Sequence, residues 1–98
     1  MRLIEKEMNS AIRAGRDWSK DNTRVTTEAG WRVCWSDVYL HGHHIAEVHS
    51  HMGQDDVVKV NVDTLRNWPT RTTMSRLRAL GVDVCTRKGE VMLNGEAL

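Results

Sequence analysis

Apolar positions near the start of the chain repeat with the period of a helix. Successive helical residues turn by about 100°, which places five small or apolar residues in one stripe: Ile4, Met8, Ala11, Ile12 and Gly15. Charged side chains such as Glu5 and Arg13 fall outside this stripe. The pattern therefore predicts an amphipathic helix of about three to four turns whose apolar side covers a sheet.

A second helical period occupies residues 70–80. Its apolar face holds three side chains: Met74, Leu77 and Leu80. The opposite side is polar and basic, with Arg71, Ser75 and Arg78, and with Arg76 beside them. Thr70 is placed to cap the start, Pro69 favours an extended approach, and Gly81 suits the left-handed residue that ends a helix. The segment predicts a docked helix with a basic, exposed back.

Between these helices, from Arg24 to Val62, the period changes to two, which is the period of a strand. Turn-forming residues recur at three places: residues 28–30, 41–43 and 52–55. The region therefore predicts four antiparallel strands. Trp31 and Trp35 fall on one apolar face and are expected to pack inside. The alternation loses register at residues 36–37, which predicts a β-bulge there.

The remaining segments complete an α+β fold. Residues 16–23 are expected to form a loop, and residues 63–68 an irregular bridge. Near the end of the chain, two strand-like segments flank Arg87-Lys-Gly89, which predicts a hairpin. We expect an antiparallel β-sheet, as a four-stranded meander plus a C-terminal hairpin, with two helices packed on one face. Residues 1–98 are expected to form a single α+β domain.

The composition argues against several classes of function. With 14 basic and 13 acidic side chains the net charge is +1, so any attraction to nucleic acid or membrane has to be local. Cys34 and Cys85 are too few for a disulfide framework and too far apart for a CxxC motif, so we expect reduced thiols. No apolar run approaches the roughly 20 residues that span a bilayer, and no signal-peptide pattern is present. The cytoplasm is the expected compartment.

The histidines raise the question of a metal site, because five lie close together: His41, His43, His44, His49 and His51. Glu47, His49 and His51 alternate along a strand and would project from one face. Neighbours on one face stand roughly 6.5–7 Å apart, too far to share a tetrahedral ion unless the strand curls. We therefore expect turn histidines and solvated strand histidines, with no metal and no cofactor.

Catalytic signatures are missing from the sequence. There is no Gly-x-Ser-x-Gly nucleophile elbow, P-loop or dinucleotide fingerprint, and neither cysteine lies in a catalytic motif. The expectation is that the protein is not an enzyme.

Binding of a macromolecule is better supported by the residue types present. The candidate residues are one tryptophan and five cations: Trp68, Arg71, Arg76, Arg78, Arg87 and Lys88. The cations could contact phosphates from the helix and the following turn. The tryptophan lies among polar loop residues, where a large amphipathic side chain could anchor a protein partner.

Four segments carry a resemblance to a known group: Asn22-Thr-Arg-Val25, Val38-Tyr-Leu-His-Gly42, Ile45-Ala46 and the run from Trp68 to Leu80. In these the chain resembles small proteins encoded by tailed bacteriophages. The resemblance implies a phage accessory protein that acts in the host cytoplasm by binding a host macromolecule. A host protein is favoured as partner, and the alternative is nucleic acid, bound by the basic face of the 70–80 helix and the 87–88 turn. The oligomeric state is left open.

Overall fold

The computed structural model describes residues 1–51 and 53–98, which form helices and antiparallel strands. Three helices lie in these ranges: α1 (Leu3–Ala14), α2 (Val62–Asn67) and α3 (Arg71–Ala79). Five strands form the large sheet in chain order: β1 (Trp18–Lys20), β2 (Thr23–Ala29), β3 (Val33–Leu40), β4 (His43–His51) and β5 (Val57–Val60). A smaller sheet contains β6 (Val84–Arg87), β7 (Glu90–Leu93) and β8 (Glu96–Ala97). The predicted α+β class is confirmed.

Three short elements are missing from the sequence-based prediction. β1 occupies part of the predicted loop, α2 replaces most of the predicted bridge, and β8 adds a third strand to the C-terminal hairpin. Each of them has six residues or fewer, too short for a periodic pattern to identify. The large sheet therefore has five strands instead of four. A membrane-spanning helix is absent from the described ranges, where even α1 is too short and too polar.

The apolar stripes of the two long helices pack toward the same side of the large sheet. From α1 and α3 the buried apolar side chains are Met8, Ala11, Ile12, Met74 and Leu77. Most of them join one core cluster with side chains from the strands and from α2: Val25, Val38, Leu40, Ile45, Ala46, Val48, Leu65 and Val84. Helix α1 packs on β1 and β2, whereas α3 packs on β4, β6 and α1. The predicted docking of both helices is therefore confirmed.

In β3 the sheet buries the face opposite to the one that carries Trp35, whereas Val58 and Val60, on the predicted apolar face of β5, pack against the core. In β3 the buried positions alternate as Ser36, Val38 and Leu40. Trp35 therefore lies on the other face, where it is 38% exposed, and Trp31 precedes the strand and is 83% exposed. The expectation that both tryptophans pack inside is wrong, because a period of two does not tell which face meets the core. We call the side away from α1 and α3 the outer face; in β3 it carries Trp35, Asp37 and Tyr39.

A β-bulge interrupts the ladder between β3 and β4. Val38 lies opposite Ala46 and Tyr39 lies opposite His44, so Ile45 is an extra residue in β4. Both Ile45 and Ala46 are buried, although they are consecutive. The prediction placed the irregularity at residues 36–37, whereas it lies on the partner strand. Its consequence is that His44 turns to the outer face, where Asp37 also lies.

Two of the predicted hairpin turns are formed by residues with positive φ. His41 and Gly42 connect β3 to β4 with φ of 52° and 80°, and Lys88 and Gly89 connect β6 to β7 with φ of 51° and 79°. Such pairs match the right-handed twist of the flanking strands. The predicted turns at 41–43 and 87–89 are therefore confirmed. Of the predicted turn at 52–55, residue 52 lies outside the described residues.

Candidate functional site

An apolar cavity opens beside Trp68, between the β3–β4 turn and the connection from α2 to α3. Its volume is about 250 Å³, and eight residues line it: Leu40, His41, His43, Ile45, Thr64, Trp68, Thr70 and Thr73. We call it the Trp68 pocket. The Trp68 indole is 50% exposed and stacks on the His43 imidazole, with 4.7 Å between ring centroids and 26° between planes. One wall of the pocket is therefore a large aromatic surface open to solvent.

Helix caps hold Trp68 in this position. Its backbone N–H donates to the Thr64 carbonyl at 2.8 Å as α2 ends, and its own carbonyl accepts from the Thr70 N–H at 2.9 Å. Thr70 then caps α3, because its hydroxyl accepts from the Thr73 N–H at 3.1 Å. The predicted cap at Thr70 is confirmed. These bonds fix the backbone on both sides of Pro69 and present the indole at the pocket.

A second group of polar side chains lies on the outer face. His44 Nε2 is 3.0 Å from Asp37 Oδ1, and His44 Nδ1 is 3.0 Å from the Asn61 amide nitrogen. This arrangement fits a neutral imidazole that donates to Asp37 and accepts from Asn61. Asn61 also caps α2, because its side-chain oxygen accepts from the Thr64 N–H at 3.2 Å. The bulged strand is thus tied to the start of α2 through His44.

A second histidine–carboxylate pair lies beside the first. His49 Nε2 is 3.1 Å from Glu47 Oε2, and its ring meets the Trp35 indole edge to face at 6.4 Å. Glu47 lies directly opposite Asp37 in the β3–β4 ladder. We call these five residues the outer-face cluster: Asp37, His44, Glu47, His49 and Asn61. It contains two ionisable carboxylates in adjacent strands and two imidazoles.

Arg76 is not on an exposed basic surface, as the sequence suggested, but is buried between α1 and the sheet. Its side chain is 3% exposed and pairs with the Glu5 carboxylate at 2.8 Å. Its Nε donates to the Thr23 hydroxyl at 3.0 Å. The prediction that Arg76 lies on the exposed back of α3 is wrong, because a partner on α1 and a polar position on β2 offset the cost of burying its charge.

The ionisation of Glu5 depends on opposing effects. Burial raises its pKa, because a carboxylate loses hydration. Hydrogen bonds from Ser75 at 2.6 Å, from Arg76 at 2.8 Å and from the Arg2 backbone N–H at 3.3 Å act in the other direction. Together with the positive charge of Arg76 they outweigh burial and hold the pKa of Glu5 below its ordinary value of 4.5. Glu5 is therefore ionised at neutral pH.

The other predicted cations are exposed but spread over different parts of the surface. Arg71 begins α3, close in sequence to Trp68, whereas Arg78 lies about 10 Å further along the helix axis. Arg78 also donates from Nε to the Val84 carbonyl at 2.8 Å, which ties it to β6. Arg87 and Lys88 lie at the β6–β7 turn. Of the predicted site residues, only Trp68 lines the Trp68 pocket.

Sequence reasoning missed most of the pocket and of the outer-face cluster. Asp37 and His44 are seven positions apart, and only the bulge at Ile45 brings them to one face. The loss of alternation near residue 36 was a signal for that bulge, although it did not reveal which strand carries the extra residue. The sequence predicts His43 in a turn, and nothing local indicates that it stacks on Trp68, 25 positions further on.

Comparison with known proteins places the chain in a phage family. The family model described as Kyanoviridae Gp96 protein matches residues 1–97, nearly the whole sequence. No curated protein and no solved structure matches the chain. Kyanoviridae are tailed cyanophages, so the resemblance to small proteins of tailed bacteriophages is confirmed. The chain belongs to the Kyanoviridae Gp96 family.

Proposed function

We propose that this phage protein acts without catalysis, in the cytoplasm of the infected cell, by binding a host protein at the Trp68 pocket. The observation that carries the proposal is a half-exposed indole, stacked on an imidazole, at the mouth of an apolar cavity. Tryptophan is among the residues that dominate binding energy in protein interfaces, especially beside a pocket that excludes water.

The size of the pocket favours an inserted side chain over a metabolite. Its volume of about 250 Å³ is below the roughly 300–1,000 Å³ of typical small-molecule sites. Its lining is mostly apolar, with the hydroxyl groups of Thr64 and Thr70 as its accessible polar groups, because the Thr73 hydroxyl is buried and pairs with that of Thr70 at 2.9 Å. An apolar side chain of a partner, flanked by backbone groups that bond to these hydroxyls, fits this chemistry.

The contacts of Trp68 support the same proposal. Its backbone bonds to Thr64 and Thr70, and its indole stacks on the ring of His43. A contact residue that is already ordered loses little side-chain entropy on binding, which would otherwise cost about 0.5–1.5 kcal/mol.

Nucleic acid is less well supported as the partner. Arg76 is neutralised by Glu5 in the interior, and Arg78 already bonds to a carbonyl. Of the predicted binding cations, this leaves Arg71, Arg87 and Lys88, which belong to separate elements of a chain with a net charge of +1. Phosphate binding gains affinity from several cations acting together, which this distribution does not favour.

Affinity capture from a lysate of the cyanobacterial host, with and without nuclease, tests the proposal. The wild-type protein is expected to retain a host protein in both conditions, and Trp68→Ala to weaken that binding by about thirtyfold or more. Trp31→Ala is the matched control, because it removes an indole that is 83% exposed and outside the pocket. Equal capture by the two variants, or capture that disappears with nuclease, would contradict the proposal.

A further inference from the structure

We propose that Asp37, His44 and Glu47 form a binding site for a divalent transition-metal ion, with Zn²⁺ as the best-matched ion. One ligand atom from each side chain, two carboxylate oxygens and one imidazole nitrogen, lies within 4.8 Å of the other two. Two ligands of a tetrahedral ion, each about 2.0–2.2 Å from it, are separated by about 3.4 Å. Asp37 and His44 are already 3.0 Å apart, close to that separation, and the Glu47 oxygen lies within 4.8 Å of both ligand atoms.

The backbone creates this arrangement in two steps. Asp37 and Glu47 are direct partners in the antiparallel β3–β4 ladder, which points both side chains to the outer face. The bulge at Ile45 then brings His44 to the same face, next to both carboxylates. Bulges recur beside functional sites because they redirect a side chain in this way. The three ligands therefore come from two adjacent, hydrogen-bonded strands.

Electrostatics favour a cation at this position. Like charges placed directly opposite each other in a ladder destabilise the pair. Asp37 and Glu47 are such a pair. Lys59 lies opposite Glu47 on the other side, in β5, and offsets part of this repulsion, and a divalent ion between the two carboxylates converts the rest into attraction. All three side chains are partly exposed, so an ion can reach them from solvent.

The ligand set indicates which ion is preferred. Zn²⁺ binds imidazole nitrogen and carboxylate oxygen, whereas Mg²⁺ and Ca²⁺ are usually held by oxygen ligands. Three protein ligands leave one tetrahedral position for water. His49 lies 3.1 Å from the second oxygen of Glu47 and acts as a positioning residue that orients this carboxylate.

Metal binding also changes the hydrogen bond between His44 and Asn61. A metal ion at His44 Nε2 leaves the proton on Nδ1, which then needs an acceptor. The side-chain oxygen of Asn61 becomes this acceptor when the amide group rotates toward the His44 ring. The same rotation breaks the hydrogen bond that this oxygen accepts from the Thr64 N–H. Metal binding is thus coupled to the N-cap of α2.

Calorimetric titration of ZnCl₂ into the untagged, chelator-treated protein tests the site. The wild type is expected to bind one equivalent with micromolar or tighter affinity, and zinc is expected to raise its thermal midpoint. Asp37→Asn and His44→Gln should each weaken binding by about tenfold or more. Because Asp37→Asn removes one of two opposed charges, its metal-free form is expected to be at least as stable as the wild type, so loss of binding is not a loss of fold.

His41→Asn and His51→Ala are the matched controls, because both histidines are exposed and outside the three-residue group, and asparagine tolerates the positive φ of residue 41. Each is expected to keep the wild-type affinity. Three results would overturn the proposal: no saturable zinc binding, binding that survives Asp37→Asn, or binding that the control substitutions remove. The last two would identify an adventitious ion held by the surface histidines only.

Discussion

Glu5 and Arg76 form a buried ion pair that joins α1 to α3. Both side chains are less than 5% exposed, and Ser75 and Thr23 provide further hydrogen bonds to the pair. Among the described residues, no buried side-chain nitrogen or oxygen lacks a hydrogen-bond partner. A buried pair is not strong evidence for net stability, because desolvation can exceed the attraction. Removing one partner is costly in any case, since it leaves a buried charge alone.

Glu5→Gln is therefore expected to lower the free energy of unfolding at neutral pH by about 3–5 kcal/mol. Denaturant unfolding at pH 7 measures this change. The matched control is Glu7→Gln in the same helix, whose pair with Lys20 spans 3.2 Å at the surface and contributes about 0–1 kcal/mol. If both variants lose the same free energy of unfolding, burial does not make the Glu5–Arg76 pair more important for stability than the surface pair.

The same pair predicts how stability changes in acid. The pKa of Glu5 in the folded protein lies below 4.5, so its contribution is complete above the unfolded-state pKa and is lost as pH falls through the folded-state value. The stability difference between wild type and Glu5→Gln should stay constant from neutral pH to about pH 5 and shrink below that. Unfolding curves of both proteins across this range measure it, and a difference that grows in acid would contradict the assignment.

At the scale of elements, two capping side chains determine where α2 and α3 begin and therefore where Trp68 is held. Asn61 caps α2 and Thr70 caps α3, and Trp68 lies in the short connection between the helices. Asn61 has a second role, because its amide also contacts His44 in the bulged strand β4. The geometry of the outer-face cluster and the start of α2 are therefore linked through one side chain.

Asn61→Asp tests this link. Aspartate caps helices about as well as asparagine, so thermal stability is expected to change little. Its carboxylate can accept from both the Thr64 N–H and a protonated His44 Nδ1, so zinc affinity, measured by calorimetry, should rise about tenfold. Asn67→Asp, at the exposed other end of α2, is the control and should leave the affinity unchanged. Weaker zinc binding by Asn61→Asp would contradict coordination through Nε2.

Local signals were sufficient to predict the long elements but not their partners. The period of 3.6 and the Thr70 cap located α3, and positive-φ residues located the turns at Gly42 and Gly89. The buried side of β3 was wrongly assigned, since alternation is symmetric between the two faces. Arg76 was wrongly placed on the surface, because its partner Glu5 is 71 positions away. Sequence periodicity carries no information about such distant pairs.

At the scale of the whole molecule, the two proposed sites occupy different sides of the large sheet. The Trp68 pocket reaches the buried face, where Leu40 and Ile45 line it, whereas the metal ligands project from the outer face. Adjacent residues of β4 nevertheless serve both, because His43 stacks on Trp68 and His44 belongs to the outer-face cluster. Of the predicted binding cations, the exposed ones lie on α3 and at the β6–β7 turn, and this spread limits the phosphate affinity that we expect.

We expect no nucleic-acid binding tighter than about 10 μM at about 150 mM salt. Ordinary DNA-binding proteins have non-specific dissociation constants near 10⁻⁴–10⁻⁶ M, and this chain has a net charge of only +1, with Arg76 buried. Fluorescence anisotropy with duplex and single-stranded probes, repeated over a series of salt concentrations, measures the affinity and its salt dependence.

The structure also determines which variant is informative in that experiment. Arg76→Ala would leave Glu5 buried without its partner, so a loss of binding could reflect a loss of fold. A combined Arg71→Ala, Arg78→Ala and Arg87→Ala variant removes exposed cations and keeps the buried pair. Phosphate is the ligand if three results are obtained together. The wild type binds with a submicromolar dissociation constant, the logarithm of its affinity falls with the logarithm of the salt concentration by about 0.9 per phosphate contacted, and the folded variant does not bind. That result would contradict a protein partner and make nucleic-acid binding the function to pursue.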